Sequence, residues 1–329
     1  MTLRRPFCVF VLLLVSPFAP AAEFKTRNFT VTAPSKELAK TFGEHAEKYR
    51  EQKAQEWLGT VMPDWPEPCP LAVTITGSAD GGGATHFTFS ETSDGRSGVA
   101  SRRMEIKGGV EKLLKSVLPH EVTHTVLAHR YGRAVPRWAD EGGSVLSEND
   151  EERFRHDVQC REMLNQGRGI PLRHLFALED YPRDMLVLYA QGYSVVQFLI
   201  DQGGRAKFLD FVETGMKRRN KNWEQAVTAY GFASTDELQT AWIDHLKTPK
   251  GRLVAAATTP SPPAAKDRPV AVATSGTKET RTSAAARLPV LEPPVVARGV
   301  APDRDRPAAT TAASPPIPRL LPPEPPGGG

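Results

Sequence analysis

The sequence predicts an α+β fold in which a small mixed or antiparallel sheet precedes a mostly helical region. Between positions 28 and 107, segments that are rich in Val, Ile and Thr or alternate in polarity are separated by turn-forming stretches. From Gly109 to about Lys247, apolar residues recur instead at the spacing of helix turns. Strands gathered ahead of helices are typical of α+β domains.

The first part of the chain contains four predicted strands and one predicted helix. The helical stretch opens at Pro34-Ser35 and reaches about Leu58. A glycine-rich stretch at 77–83 lacks the Gly-Lys-Ser/Thr ending of a phosphate-binding loop, so we expect a hairpin connection there. The predicted strands cover 28–32, 71–76, 84–90 and 101–107.

Residues 1–22 have the layout of a secretory signal peptide. Arg4 and Arg5 precede an apolar run over 7–15, and small residues follow at 19–22. The run is too short to span a bilayer as a helix, and no later segment is long and apolar enough to do so. We therefore expect an exported protein (periplasmic, cell-surface or secreted) without a transmembrane segment.

Residues 251–329 form a Pro- and Ala-rich tail that we predict to be disordered. The tail contains no Phe, Trp or Tyr and holds 16 of the 29 prolines. Such a composition buries too little apolar surface to offset the entropy of ordering the chain. The remaining residues, 23–250, are enough for one sizeable domain with its own core.

The positive charge of the chain belongs to its two ends. The formal net charge is +4, and the tail holds ten Lys and Arg against six Asp and Glu. Residues 23–250 carry 30 basic and 32 acidic side chains. A domain with this balance lacks the basic surface that binds nucleic acid, so we expect no nucleic-acid partner. Contact with an anionic surface is expected, at most, of the tail.

Two cysteines remain once the signal peptide is removed. A pair of this kind in an oxidising compartment often forms one disulfide, so we favour a bond between Cys69 and Cys160. Two buried thiols are the alternative. Neither cysteine has the surroundings of a catalytic nucleophile.

A helix predicted over 110–131 carries the strongest candidate site. Its inward stripe includes His120 and His124, one turn apart, so that their rings can converge on one cation. Glu121 lies about 100° round the helix and can take a proton from a metal-bound water. The stripe consists of Leu113, Val117, His120, His124 and Leu127.

A carboxylate follows at a spacing that lets it return to the same metal. Glu141 lies 17 positions after His124, which leaves room for a turn and a second helix. Two His and one Glu with an open fourth position form a known catalytic zinc set. Zn²⁺ suits the hydrolysis of peptide bonds because it lowers the pKa of bound water to about 7 and polarises a carbonyl without redox reactions.

The two histidines and the proline before them each allow a second interpretation. The histidines can instead be hydrogen-bonded core residues, with Glu141 an ordinary surface acid. Pro119 either lies in the first turn of a helix that restarts there, or bends a continuous helix and aims His120 at the metal.

These residues resemble the gluzincin metallopeptidases and, more closely, the peptidase MA-like family, which shares a thermolysin-type catalytic core. The resemblance implies a zincin-type catalytic region within 23–250 and a peptide or protein substrate. It also implies Zn²⁺ held by His120, His124 and Glu141, with Glu121 as the general base. The matching residues are Leu118-Pro119-His120-Glu121, His124, Pro136-Arg137-Trp138 and Asp140-Glu141-Gly142.

The resemblance extends to further positions. Tyr189 opens a Tyr-Ala-Gln-Gly segment similar to the Tyr-x-Lys-Gly segment of gluzincin aminopeptidases, in which the tyrosine stabilises the tetrahedral oxyanion. Tyr193, one turn on, is the substitute, and a plain core role for Tyr189 is the alternative. Glu148 matches an acid of these aminopeptidases that supports a metal ligand without binding the metal itself. Residues 104–107 stand where these folds have the edge strand that pairs with the substrate backbone.

We therefore expect an exported zinc-dependent peptidase that hydrolyses peptide bonds through a metal-activated water, with Glu121 and Tyr189 as its catalytic residues. The alternative is a catalytically inactive zincin-fold module for binding or assembly, which keeps the metal for structure.

Overall fold

The computed structural model describes residues 21–91, 97–217 and 222–247. The predicted tail lies outside this part of the chain, and so does the predicted signal peptide apart from its last two residues. The described residues form a five-stranded sheet followed by a helical region. The predicted α+β class is confirmed.

Five strands form the mixed sheet: β1 (Ala22–Lys25), β2 (Phe29–Ala33), β3 (Cys69–Ile75), β4 (Gly81–Glu91) and β5 (Ser97–Gly108). Their order across the sheet is β1-β2-β3-β5-β4. The pairs β2–β3 and β3–β5 are parallel, whereas β1–β2 and β4–β5 are antiparallel. Four strands match the predicted segments. The short β1 was missed because four residues carry too little alternation to stand out.

Among the described helices, α1 lies between β2 and β3, and the others follow the last strand of the sheet. In the described part of the chain, no helix combines the length and the apolarity needed to cross a membrane. The longest helix, α7, contains a kink at Gly204, which has φ 77° and ψ 170°. The helices are α1 (Lys36–Leu58), α2 (Val110–Lys112), a π-helical turn (Leu113–Val117), α3 (Leu118–Tyr131), α4 (Arg137–Val145), α5 (Asp150–Asn165), α6 (Leu172–Phe176), α7 (Met185–Gly215), α8 (Trp223–Tyr230) and α9 (Thr235–Lys247).

One face of the sheet packs against α1 and α3. Alternate residues of β2 and β3 are buried, as expected when one face meets helices and the other meets solvent. The helix α1 begins where predicted because the Ser35 hydroxyl accepts a hydrogen bond from the Leu38 amide. It ends at Gly59, whose φ of 68° suits glycine. The sheet and α1 thus form a base for α3.

An aromatic cluster holds the later helices together. Trp138 on α4 lies 4.7 Å from Phe176 and 5.8 Å from Trp223, measured between ring centroids. Phe211 of α7 contacts all three rings. Contacts between aromatic rings of this kind stabilise a core beyond the burial of area alone. The cluster therefore anchors α4 firmly against α7.

The sheet order overturns two expectations about β4 and β5. Residues 104–107 lie on β5, which is flanked by β3 and β4, so the expected edge strand at these positions is wrong. The edge strand beside α3 is β4. The stretch 77–83 is likewise not a hairpin connection, because β5 lies between β3 and β4 and the chain must cross it before β4 begins at Gly81.

The expected disulfide is also corrected. Cys69 on β3 and Cys160 on α5 are both buried thiols. Cys69 is opposite Phe29 in the sheet, whereas α5 packs on α7, so the two residues belong to different layers of the core. Burial raises the pKa of the Cys69 thiol to about 12, although the Arg102 guanidinium acts to lower it. Such a thiol is unreactive at neutral pH.

The helices α4 and α7 approach each other closely at two glycines. A Cβ atom on Gly142 would lie 2.4 Å from the carbonyl carbon and oxygen of Gly192. A Cβ atom on Gly192 would lie 2.8 Å from the Trp138 carbonyl oxygen. No side chain fits between these backbones. Because Gly142 directly follows Glu141, this contact also sets how deeply that carboxylate is buried.

We expect Gly142→Ala to lower the free energy of unfolding by about 1–3 kcal/mol, since the added methyl group must push α4 away from α7. Gly82→Ala on β4 is the matched control, because a Cβ atom there meets nothing within 4 Å. Urea unfolding of both variants measures the difference. Equal stability of Gly142→Ala and the unaltered protein would contradict the close approach.

Candidate metal centre

A π-helical turn resolves the position of Pro119. The Leu118 amide donates to the Leu113 carbonyl, five residues back, and α3 starts at Leu118. Pro119 therefore lies in the first turn of α3, where its missing N–H and its ring are tolerated because the preceding turn is wider than an α-helical one. Val117 and Leu118 keep right-handed helical φ and ψ angles, so the helical backbone continues through the π-helical turn, and His120 and His124 lie on the regular α-helix that follows.

The two histidines and Glu141 converge as predicted. Glu141 Oε2 lies 3.5 Å from His120 Nε2 and 3.7 Å from His124 Nε2. Ligand atoms about 2.0–2.2 Å from one tetrahedral metal ion would be separated by roughly 3.3–3.5 Å. All three side chains are buried, and their ligand atoms lie within 4.8 Å of one another. This geometry leaves space for one metal ion between the three side chains.

A buried oxygen without a partner supports the same interpretation. Glu141 Oε2 has no hydrogen-bond donor among the described residues, and Glu141 is only 3% exposed. A buried carboxylate oxygen without a donor is costly, and such groups are rare in folded proteins. A cation bound between Oε2 and the two imidazole nitrogens would remove that cost. The donor set of the three side chains therefore fits a metal ion.

Two outer carboxylates orient the imidazole rings. His120 Nδ1 lies 2.7 Å from Glu148 Oε1, and His124 Nδ1 lies 2.8 Å from Asp140 Oδ1. A carboxylate at Nδ1 favours the tautomer with its proton on that nitrogen, which leaves the Nε2 lone pair for a metal. Glu148 was predicted for this role. Asp140 was not, although its place directly before Glu141 on α4 was a signal.

The carboxylates around His120 and His124 favour positive charge on both imidazole rings. Burial acts to lower the pKa of His120, but the neighbouring carboxylates of Glu141 and Glu148 outweigh it and hold the pKa well above its ordinary value. For His124, burial is likewise outweighed by Asp140, and the pKa is raised. Negative potential of this strength at the point where the rings meet is what a cation site requires.

Glu121 lies beside the cluster, against the edge strand β4. Thr85 Oγ1 donates to Glu121 Oε2 over 2.7 Å, and a Cβ atom on Gly83 would lie 2.7 Å from Glu121 Oε1. Burial raises the pKa of Glu121, although the nearby His124 and His120 act to lower it. Sequence reasoning missed both Thr85 and Gly83, because their link to Glu121 depends on the position of β4 in the sheet.

Of the two candidate tyrosines, Tyr189 is the one that lies at the cluster. Its ring stacks against His120 with 6.3 Å between centroids, and its side chain lines the cleft above the site. Burial and the carboxylate of Glu141 hold its pKa well above the usual value, so the hydroxyl stays protonated. Tyr193 is 6% exposed and packs against His156 instead.

A further tyrosine, Tyr181, contacts Glu141 directly. Its hydroxyl donates to Glu141 Oε1 over 2.6 Å. Tyr181 stands in the connection between α6 and α7, 40 positions after Glu141 in the chain. No periodicity or spacing links these positions, so sequence reasoning could not have found this contact.

The cluster opens into a cleft of about 2000 Å³. The cleft is bordered by the start of β4, the end of β5, the α2 segment, the first half of α5 and the start of α7. On one wall of the cleft, Glu152 forms ion pairs with Lys112 at 2.5 Å and with Arg155 at 3.0 Å. His120, Glu121 and Tyr189 all line the cleft, so a ligand there can reach the site.

We expect Asp140→Asn and Glu148→Gln each to raise the zinc dissociation constant by about 10–100-fold, because the amide no longer holds the imidazole as a carboxylate does. Glu151→Gln, on the exposed side of α5, serves as the control. Competition with a chromogenic chelator measures the affinities. A variant that binds zinc as tightly as the unaltered protein would contradict the orienting role of that carboxylate.

Comparisons with known proteins do not assign the chain to a family. No protein-family model, curated protein or solved structure matches it. Its function therefore has to be inferred from the chemistry of the site.

Proposed function

We propose that the chain is a zinc-dependent peptidase of the gluzincin type. The observation that carries this proposal is the convergence of His120, His124 and Glu141 next to an open cleft that His120 and Glu121 line. Two His and one Glu with an open coordination position are typical of catalytic zinc sites, whereas structural zinc sites are usually closed by four protein ligands.

Zinc held by His120, His124 and Glu141 would lower the pKa of a bound water to about 7 and polarise the carbonyl of the scissile bond. The remaining chemistry belongs to side chains of the protein. The hydrogen bond from Thr85 engages Oε2 of Glu121, which leaves Oε1 to accept the proton of the attacking water. Glu121 can then pass this proton to the leaving nitrogen. Its raised pKa makes the carboxylate a stronger proton acceptor.

The surroundings of the site favour a peptide as substrate. The edge strand β4 is paired on one side only, and its residues 81–84 border the cleft. The unpaired backbone groups of an edge strand can add an extended peptide as a further strand. A cleft of about 2000 Å³ is also larger than the 300–1,000 Å³ typical of small-molecule pockets. Both features suit a peptide or protein substrate.

Tyr189 is the proposed oxyanion partner. Its ring stacks against His120, and its protonated hydroxyl can donate to the oxygen that becomes negative when water adds to the carbonyl carbon. The raised pKa of Tyr189 suits this role because it keeps the proton on the hydroxyl.

We further propose that the protein acts outside the cytoplasm, because its first 22 residues have the composition of a signal peptide. The basic tail over 251–329 is the part that we propose for contact with an anionic surface.

We expect Glu121→Gln to lower the turnover number by about 10²–10⁴-fold, because the amide cannot accept the proton of the attacking water. Zinc content should stay at that of the unaltered protein, since Glu121 is not one of the three converging ligands. Cleavage of a broad peptide library by the mature protein, together with metal analysis, tests both statements.

Full activity of Glu121→Gln would rule out its role as general base. If the unaltered protein holds one zinc ion per chain yet cleaves no peptide, the peptidase proposal fails and the inactive binding module takes its place. Absence of zinc from the purified protein would refute the metal centre itself.

We expect Tyr189→Phe to lower the turnover number by about 10²–10³-fold at unchanged zinc affinity, since one oxyanion donor is lost. Tyr193→Phe removes the same atom from a residue of the same helix and should leave the turnover number unchanged. Steady-state kinetics on a peptide cleaved by the unaltered protein compare the two. Equal losses in both variants would count against Tyr189 as the oxyanion donor.

A further inference from the structure

The hydroxyl of Tyr181 is committed to a ligand carboxylate and has no part in the proposed hydrolysis. It donates to Glu141 Oε1 over 2.6 Å, a short distance that is typical of a hydroxyl bound to an ionised carboxylate. The substrate would have to compete with a buried charge for this proton. Tyr181 therefore acts on Glu141 rather than on the reacting bond.

This contact divides the two oxygens of Glu141 between different partners. Oε1 accepts from Tyr181, whereas Oε2 lacks a donor among the described residues and faces Nε2 of both histidines. A carboxylate can bind a metal through one oxygen or through both. Because Oε1 accepts from the phenol, Oε2 is the oxygen that would bind a metal held by the two histidines.

Arg137 fixes the direction of the phenol proton. Its Nη1 donates to the Tyr181 hydroxyl over 3.3 Å, and its guanidinium stacks on the Tyr181 ring at 4.5 Å from the centroid. A hydroxyl that accepts from an arginine must point its own proton elsewhere, here towards Glu141. Arg137 lies one turn before Glu141 on α4, and Tyr181 lies in the α6–α7 connection. Hydrogen bonds therefore link Arg137 to Tyr181 and Tyr181 to Glu141.

We propose that Tyr181 is a positioning residue that makes Glu141 a one-oxygen metal ligand and thereby keeps the fourth coordination position open. This proposal rests on the metal centre of the proposed function, but not on the cleavage of peptides. It predicts that loss of the hydroxyl changes both the affinity for the metal and the number of oxygens that bind it.

The test is Tyr181→Phe in the protein loaded with zinc or with cobalt. We expect the zinc dissociation constant to rise by about 10–100-fold, as for the loss of other groups that orient a ligand. In the Co²⁺-loaded variant, Glu141 is free to bind through both oxygens. The visible absorption bands of Co²⁺ should then shift and weaken, as they do when coordination expands from four to five. A residue that only supports the fold would not change these bands.

Tyr131→Phe is the matched control. Its hydroxyl donates to the Leu209 carbonyl over 3.0 Å at the far end of α3, so this variant loses a similar hydrogen bond on the helix that carries both histidines. It should keep the zinc affinity and the Co²⁺ spectrum of the unaltered protein. Circular dichroism of each metal-free variant checks that it is folded.

Weaker zinc binding and an altered spectrum in Tyr181→Phe alone would support the proposal. Zinc affinity within twofold of the unaltered protein and an unchanged Co²⁺ spectrum would overturn it, whatever the peptidase activity. Equal losses in both tyrosine variants would also overturn it, because the effect would then follow from general weakening of the fold. If the unaltered protein binds no metal, the metal centre fails, and this proposal fails with it.

Discussion

A carboxylate buried between two imidazole rings is the constraint on which the rest of this structure depends. Burying the charge of Glu141 costs free energy unless positive charge or donors surround it. One oxygen is satisfied by the Tyr181 hydroxyl, and the other faces His120 and His124. Helices α3 and α4 and the connection before α7 must therefore meet at one point. Outer carboxylates behind both rings extend the charged cluster to the connection between α4 and α5 and to the first turn of α4.

Packing on two sides holds His120, His124 and Glu141 in place. Behind it, the aromatic cluster around Trp138 and the contact between Gly142 and Gly192 press α4 against α7 without a gap. In front of it, the edge strand β4 brings Thr85 and Gly83 against Glu121. The three converging side chains thus stand on tightly packed helices, while Glu121 lies at an edge of the sheet. Rigid side chains beside such an edge would suit the proposed hydrolysis of a long substrate.

Local patterns predicted most of the elements but not their arrangement. Alternation and helical spacing indicated four of the strands and the helices α1 and α3, because these signals are contained within each segment. The strand order could not be predicted in this way, since β5 enters between β3 and β4 through contacts that are distant in sequence. The expected edge strand at 104–107 was wrong for that reason. The expected disulfide was wrong because the count of cysteines says nothing about the layers in which they lie.

The sequence by itself indicated which side chains form the candidate centre. His120, Glu121 and His124 share one helix, where residues four positions apart lie on the same face. Glu141 follows after a stretch long enough for one turn and a second helix. Only the tertiary structure decided which groups hold these residues in place. Tyr189 and Tyr193 look equivalent on one helix, yet only Tyr189 lies against His120. The contacts of Glu121 with β4 and of Glu141 with Tyr181 depend on long-range packing, which no local spacing encodes.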